Sequence, residues 1–441
     1  MTNTHPVIVV PGITGTQLRD EYQLPPEVVW SVLQHEYARI ALHPDDPRYE
    51  AQEPARVQAD NVFDVAYKEL IQELRYNLRE KEDESVPVFP FGYDWRQPLE
   101  IVVEQFSEFV DEVIARTSLI RHYADAGYMD DPKVNLVGHS MGGLIITGYL
   151  AKKGKKARVA KVATLATPYR GSFEAVIKIA TGTANLGVSE PNSREREAAR
   201  LTPSLYYLLP DIEGGLEMED ANLPKSLFDP GLWQEGVIKS IQEFVRLHAA
   251  SIHAKTEKAQ KTHAQVLFEK FLQNAETFRH SINDFRLSKA GLKAEDWLCV
   301  VGVDSETRVR LRIKKIGGVP FFDLGSDFRL NRWMKDEKDP KDWHLTGDGT
   351  VPFDAALPAF LKAENIVCVT PDDFGYWEVS DKVLAGAAGF HGIMPNMDML
   401  HRLIVRHFTE RKDKAGNTWG RPVPGVTDKT WKPPLELRRK K

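Results

Sequence analysis

The run Gly138-His139-Ser140-Met141-Gly142 sets a serine among glycines, between the apolar Val134-Asn135-Leu136-Val137 and the run from Gly143 to Leu150. The first flank reads as a buried strand and the second as a helix with an apolar face. A G-x-S-x-G joining a strand to a helix is a nucleophile elbow. Its tight turn exposes the hydroxyl of Ser140, and its glycines let chain and substrate approach closely. A serine hydroxyl attacks a carbonyl only when a base takes its proton and a third group orients that base. In hydrolases built on this elbow an acid and then a histidine follow the serine along the chain. Asp348 lies in Thr346-Gly347-Asp348-Gly349-Thr350-Val351-Pro352, where flanking glycines let a carboxylate point out of the scaffold, although Gly-Asp-Gly is also the composition of a plain turn. His391, in Phe390-His391-Gly392-Ile393-Met394, sits in a loop leading into an apolar helix and suits a base that must reach Ser140. Asp304 is the reserve acid. Among the thirteen histidines, His139 reads as a neighbour of the nucleophile rather than the base. His248, His253, His263, His280, His401 and His407 read as surface or packing residues.

The oxyanion of such a reaction needs backbone N–H donors. Met141, directly after the nucleophile and at a helix start, is one expected donor. Ile13 is the other, in the loop Pro11-Gly12-Ile13-Thr14-Gly15-Thr16 that follows the strand-like Val7-Ile8-Val9-Val10.

The ordered series Pro11-Gly12-Ile13-Thr14-Gly15, Tyr93-Asp94-Trp95-Arg96, Gly138 to Gly142, Ala166-Thr167-Pro168, Gly347 to Pro352 and His391 resembles the lecithin:cholesterol acyltransferase family of lipases, phospholipases and acyltransferases. Tyr-Asp-Trp-Arg is its most discriminating member. The resemblance implies an α/β-hydrolase fold, a Ser140–His391–Asp348 triad, and Ile13 and Met141 as the oxyanion donors. It implies a lipid or other acyl-ester substrate, hydrolysed by water or passed to an alcohol. A catalytically silent binding protein on the same fold is the alternative of a different class. The secreted animal members carry a signal peptide and disulfides, and this chain departs from them in both. Tyr93 to Arg96 itself reads as a structural brace, with Asp94 and Arg96 able to hold a loop by charge-assisted hydrogen bonds.

The elements that must position these residues alternate as in a mostly parallel sheet with helices on both faces. Phe63, Tyr67, Leu70, Leu74 and Leu78, and then Val102, Phe106, Phe109, Val110 and Val113, fall at helical spacing and read as core stripes without a function. The expected organisation is a hydrolase core over 1–180 with a small insertion at about 20–60, a helical cap or lid over 181–295, a second core part over 296–410 and a basic tail over 411–441. Within the cap, 181–236 reads as loop and 237–290, which holds no Pro or Gly, as one long helix or a helical hairpin, with Ile241, Val245, His248 and Ile252 at helical intervals. Leu205, Tyr206 and Tyr207 read equally as an acyl-chain contact or as packing of cap on core. Trp30 is a candidate for the acyl-pocket wall, with surface packing as its alternative. Arg308 to Ile313 alternates as a half-exposed strand of the resumed sheet.

At 441 residues, 42% hydrophobic and 27% charged, the chain has the makings of a large core and a solvated surface. A net charge of −5 gives no footprint for nucleic acid. The two cysteines, Cys299 and Cys368, lie in strand-like runs and read as buried thiols; no metal-ligand spacing exists, and the chemistry needs no cofactor. The start lacks a basic region and a long apolar core, and no run of eighteen apolar residues exists, so a cytoplasmic protein is expected, with export by a signal-independent route compatible. The tail carries ten Lys/Arg against three Asp/Glu plus Trp419 and Trp431. It reads as a solvated or packed extension, with contact to an anionic membrane surface as the alternative.

Overall fold

The computed structural model describes residues 4–31, 34–40, 57–183, 193–249, 254–330, 346–375, 378 and 389–439. Six short strands form the central sheet: β1 (Val7–Val10), β2 (Val88–Pro90), β3 (Val134–His139), β4 (Val159–Leu165), β5 (Trp297–Gly302) and β6 (Ile366–Val369). They run in the order β6-β5-β4-β3-β1-β2, and every pairing is parallel. Parallel strands buried on both faces need no polar alternation, which is why these segments read as nearly continuous apolar runs.

The faces still differ, because successive side chains point opposite ways. Ile8, Val10, Leu136 and Val162 join one core with Val102 and Phe106 of α2 (Leu99–Ser118) and Leu144 of α3 (Met141–Lys153). Val7, Val9, Val137 and Ala163 join the other with Leu70 and Leu74 of α1 (Asp64–Asn77) and with Leu400 and Leu403 of the C-terminal helix Asp398–Thr409. The result is an α/β-hydrolase fold, a parallel sheet covered by helices on both faces. Among the described residues, five non-glycine residues have positive φ, and Thr14, Ser140, Ala166 and Asp304 follow the C-terminal ends of β1, β3, β4 and β5. Strain of this kind is kept where the surrounding structure over-determines it, so it marks this edge of the sheet.

The chain between β4 and β5 departs from the sequence expectation. After α4 (Phe173–Thr181), the charged run Arg194-Glu195-Arg196-Glu197 lies in a helix, α5 (Ser193–Arg200), not in a loop. Residues 237–290 resolve into a hairpin, with α6 (Glu235–Phe244) leading through a wide turn Val245–Ala249 and α7 (Glu257–Asp284) returning. Ile252 and His253 lie outside the described residues. Buried arginines tie these pieces together. Arg200 donates to the carbonyls of Ile179, Ala180 and Gly236, and Arg279 to those of Tyr207 and Leu209. Burial pulls the Arg279 guanidinium down to about 10. Gly148 of α3 gives α7 its approach: a Cβ there would stand 2.9 Å from the Phe278 ring.

Arg308 to Ile313 is not one strand of the main sheet. Thr307–Arg308 pairs with Arg329–Leu330, while Leu311–Ile316 pairs with Val319–Asp323 and with Leu216–Met218. An alternating pattern marks a strand but cannot say which sheet it joins. The early insertion forms a three-stranded antiparallel sheet of Thr16–Asp20, Glu27–Trp30 and Val57–Val62; residues 41–56 lie outside the described residues. Cys299 and Cys368 are buried free thiols on adjacent strands, and burial pushes the Cys299 thiol up to about 12. The tail lies along the β6 edge, where Cys368 donates its N–H to Arg421 O at 2.8 Å and Trp431 Nε1 donates to Ile366 O at 3.0 Å. Among the described residues no helix is long and apolar enough to cross a membrane.

Candidate active site

Ser140 stands between β3 and α3 with φ 52° and ψ −127°, a conformation that costs an L-residue roughly 1–3 kcal/mol. Packing holds it there. Its N–H donates to Leu165 O at 2.9 Å, and its own carbonyl accepts from Gly143 N–H at 3.0 Å. The glycines matter because of closeness. A Cβ on Gly138 would meet Gly143 N at 2.8 Å, one on Gly142 would collide with Val10 O, and one on Gly143 with the Thr167 side chain.

His391 lies in the single helical turn Phe390–Ile393, and Asp348 in the turn after residue 345. Sequence distance is closed by hydrogen bonds: His391 Nδ1 is 2.6 Å from Asp348 Oδ2, and His391 Nε2 is 2.9 Å from Ser140 Oγ. A carboxylate only accepts, so Nδ1 carries the proton, which leaves the Nε2 lone pair facing the serine hydroxyl. The other carboxylate oxygen accepts from the N–H groups of Thr350 (2.9 Å) and Val351 (2.7 Å), which fixes its orientation. His391 N–H also donates to Asp348 O at 3.1 Å. Asp304 has no part in this run; its N–H donates to Thr346 Oγ1 at 2.8 Å, which anchors the Asp348 turn.

Met141 is the first residue of α3, where a backbone N–H has no acceptor within the helix. Its side chain is fully buried, so only its backbone can serve the site. Ile13 lies in the turn closed by Gly15 N–H to Gly12 O at 3.1 Å. This loop presses on Ser140: a Cβ on Gly12 would stand 2.8 Å from Ser140 Cβ and 3.3 Å from Oγ.

Tyr67, expected only to pack, holds three parts of the site together. Gly12 N–H donates to its oxygen at 2.9 Å, and its O–H donates to His139 Nδ1 at 2.8 Å. His139 Nε2–H then donates to the backbone carbonyl of His391 at 2.9 Å. Burial, with the neighbouring His391, pulls His139 down to about 3, so it is neutral, as this donor–acceptor pattern requires. Nothing in a helical stripe distinguishes Tyr67 from a packing aromatic, since its partners lie far away in sequence. His401 and His407 are buried and donate to Pro395 O (2.7 Å) and Val162 O (3.1 Å), as structural residues do.

A cavity of about 670 Å³ opens beside Ser140, His391 and Ile13. Trp30 is on its wall, buried, with its ring 4.9 Å from that of Trp95. Leu205 and Leu208 are also on the wall. Tyr206 and Tyr207 are not among its lining residues and follow the packing alternative for that patch. Tyr206 donates to Arg200 O at 2.7 Å and packs on Phe268 and Phe271; Tyr207 reaches Glu100 and packs on Phe278. In a helical turn, neighbours in sequence face different ways.

Tyr93-Asp94-Trp95-Arg96 braces the loop carrying Ile13. Arg96 is buried and grips Asp94 through Nε (2.8 Å) and Nη2 (2.7 Å), and it also donates to Val57 O. Tyr93 O–H donates to Pro11 O at 3.0 Å, and Trp95 Nε1 to Thr16 O at 3.1 Å. No group of three or more His, Cys, Asp or Glu among the described residues is placed to hold a metal.

The family model of lecithin:cholesterol acyltransferase matches residues 24–278, more than half of the chain. The chain belongs to the lecithin:cholesterol acyltransferase family. The matched span includes Tyr93–Arg96 and Ser140 but ends before Asp348 and His391. A curated relative, lecithin-cholesterol acyltransferase-like 4 of Arabidopsis thaliana, is 26% identical over 236 residues, which is 47% of this chain and 41% of that protein. The chain therefore matches less than half the length of this relative. In fold, this family member superposes with a TM-score of 0.59 on a chain from the crystal structure of a Tle4–Tli4 complex, at 16% identity over 94% of this chain and 100% of the other.

Proposed function

We propose that this protein cleaves carboxylic esters of lipids through an acyl-enzyme on Ser140. The hydrogen-bonded run from Ser140 through His391 to Asp348, at the wall of a cavity of about 670 Å³, carries the reading. In this mechanism His391 Nε2 takes the proton of Ser140 as Oγ attacks the acyl carbonyl, and Asp348 steadies the imidazolium. The N–H groups of Ile13 and Met141 receive the oxyanion, helped by the N-terminal dipole of α3. His391 then gives its proton to the departing alcohol. Water, deprotonated by the same histidine, releases the fatty acid. The segment between β4 and β5 acts as the cap, and its Thr202, Leu205 and Leu208 wall the acyl site.

Fatty-acid release from p-nitrophenyl esters of graded length and from phospholipid vesicles, comparing wild type with Ser140→Ala, tests this. Serine-dependent release from vesicles supports a lipid ester hydrolase; turnover of short soluble esters alone reduces it to a carboxylesterase. The family name favours a second reading, in which an alcohol replaces water and the enzyme is an O-acyltransferase. Ester formation on an added alcohol, at the expense of free fatty acid, would establish it. Resistance of Ser140 to a fluorophosphonate label would instead mark a silent binding protein.

A further inference from the structure

Arg308 is only 6% exposed, yet it lies on the wall of the cavity that holds Ser140. A guanidinium has five N–H donors. Nη1 donates to Ser326 O at 3.0 Å and Nη2 to Leu324 O at 3.2 Å, while Nε is buried without a partner. Three N–H groups and a full positive charge are therefore left over. No carboxylate among the described residues lies within ion-pair distance of it. Glu174, Asp327 and Asp323 act on it only from beyond contact, and a buried cation without a paired counter-anion is costly. Arg329, directly opposite in the strand pair Thr307–Arg308 with Arg329–Leu330, lines the same cavity.

The backbone ties this pair to the reacting groups. Thr307 Oγ1 accepts from Gly349 N–H at 2.8 Å, one residue from Asp348, and Ser305 N–H donates to Gly347 O at 3.0 Å. Thr307, the neighbour of Arg308, therefore belongs to the frame of the Asp348 turn, while the Arg308 side chain bonds elsewhere. The wall combines apolar and charged side chains. Trp30, Trp95, Ile40 and Leu205 are among its apolar residues, and Arg308, Arg329, Lys178, Glu174 and Glu306 among its charged ones. A phospholipid ester combines the same two chemistries, with acyl chains on one side of the scissile bond and a charged headgroup on the other.

We propose that Arg308 and Arg329 form a subsite for a phosphate on the alcohol side of the substrate. The enzyme then prefers acyl esters whose headgroup carries uncompensated negative charge over zwitterionic or neutral glycerides. The proposal rests on the ester-hydrolase reading and adds the substrate's charge to it. Arg308 supplies fixed, buried donors with fork geometry, and Arg329 a more exposed second charge. With the phosphate absent, Glu174 of α4, Asp327 and Asp323 compete for this charge.

The test uses short-chain lipids below their aggregation threshold, so that surface charge plays no part: dihexanoyl phosphatidylglycerol, dihexanoyl phosphatidylcholine and dihexanoylglycerol. Wild type should rank them in that order by kcat/KM. Arg308→Met should cut kcat/KM on phosphatidylglycerol by about ten- to a hundred-fold, the scale of lost charge-assisted hydrogen bonds, and leave dihexanoylglycerol within about twofold. Arg329→Gln should act in the same direction but less, and it remains informative if Arg308→Met fails to fold. Glycerol 3-phosphate should compete with phosphatidylglycerol in wild type and lose that effect in Arg308→Met. An equal loss on all three lipids would make Arg308 a brace for the Leu324–Ser326 turn and overturn the proposal. So would a wild type indifferent to headgroup charge, or inorganic phosphate that activates hydrolysis of dihexanoylglycerol without competing, which marks a separate effector. Should no lipid be turned over in a serine-dependent way, the hydrolase reading fails by itself. Calorimetry of glycerol 3-phosphate on Ser140→Ala, with and without Arg308→Met, then decides the subsite alone.

Discussion

The carboxyl edge of the sheet and the segment proposed to cover it are built in different ways. Ser140, Asp348 and His391 sit in turns of a few residues, each held by backbone hydrogen bonds, and at Ser140 and Asp348 flanking glycines permit close approach. The cover, from α5 to α7, is held by long side chains reaching distant carbonyls, with Arg200 and Arg279 at its joints. Backbone-defined geometry tolerates little change, because strain and close contacts leave no room for adjustment. A cover tied by side chains can be altered piece by piece. Chemistry is therefore expected to reside in the rigid edge, and substrate choice in the cover and in the Arg308 frame beside it.

Substitutions can break or sharpen this contrast. The largest effect is expected at the edge. Asp348→Asn keeps the shape but offers His391 Nδ1 no fixed acceptor, and kcat on a p-nitrophenyl ester should fall by roughly 10⁴-fold while thermal unfolding changes little. A loss below tenfold would mean that the 2.6 Å contact is not part of the chemistry.

Acid should act on the scaffold next. His139 and His407 are buried and neutral, both pulled from 6.5 to about 3 by burial first. Between those values the unfolded chain binds protons that the native state refuses, so stability rises with pH across the window and is lost as pH falls from 6.5 toward 3. Each histidine contributes up to about 1.4 kcal/mol per pH unit there. Urea unfolding at pH 7, 5.5 and 4.5 measures the slope, and His407→Gln should reduce it.

Gly12→Ala should place a Cβ 2.8 Å from that of Ser140 and cost roughly 10²-fold in kcat, with a folded circular-dichroism spectrum. Tyr67→Phe keeps the ring and removes the hydroxyl that joins Gly12 to His139. It should cost about 1–3 kcal/mol in urea unfolding, with a smaller loss of kcat. The cover should respond most gently. Leu205→Ala should change the preferred acyl length by about 1–3 kcal/mol in kcat/KM, the worth of a methylene or two in an apolar pocket. Tyr206→Phe should cost about 1 kcal/mol of stability and leave chain-length preference alone. If these two variants behaved alike, the distinction between Leu205 on the wall and Tyr206 in the packing would be lost.

The legible parts of this molecule were those with short-range causes. The elbow, the glycine-flanked aspartate and the brace Tyr93–Arg96 are compact motifs, and Asp94 with Arg96 make the bidentate contact that their spacing permits. Strand existence was legible in the sheet because runs buried on both faces are apolar throughout. The less legible parts depended on partners. Arg194–Glu197 looked like loop because the helix Ser193–Arg200 holds no apolar residue larger than alanine and is tied down at its end by Arg200. Leu311–Ile316 alternated correctly, but its partner Leu216–Met218 lies about a hundred residues away, and pattern alone carries no address.

By itself, then, the amino-acid sequence determined the local devices: a serine forced into a left-handed corner, a carboxylate in a turn, a histidine at the mouth of a helix, and the apolar runs of the sheet. These follow from backbone sterics and side-chain period, which act over a few residues. The tertiary structure decided which of them meet. It brought Tyr67 and His139, 72 residues apart, into one hydrogen-bonded line with Gly12 and His391. It also turned Leu205 toward the cavity and Tyr206 away, and buried Arg308 without an ion-pair partner among the described residues. Such outcomes depend on how whole elements pack, where the balance of burial and hydrogen bonding is struck among residues that no local pattern connects.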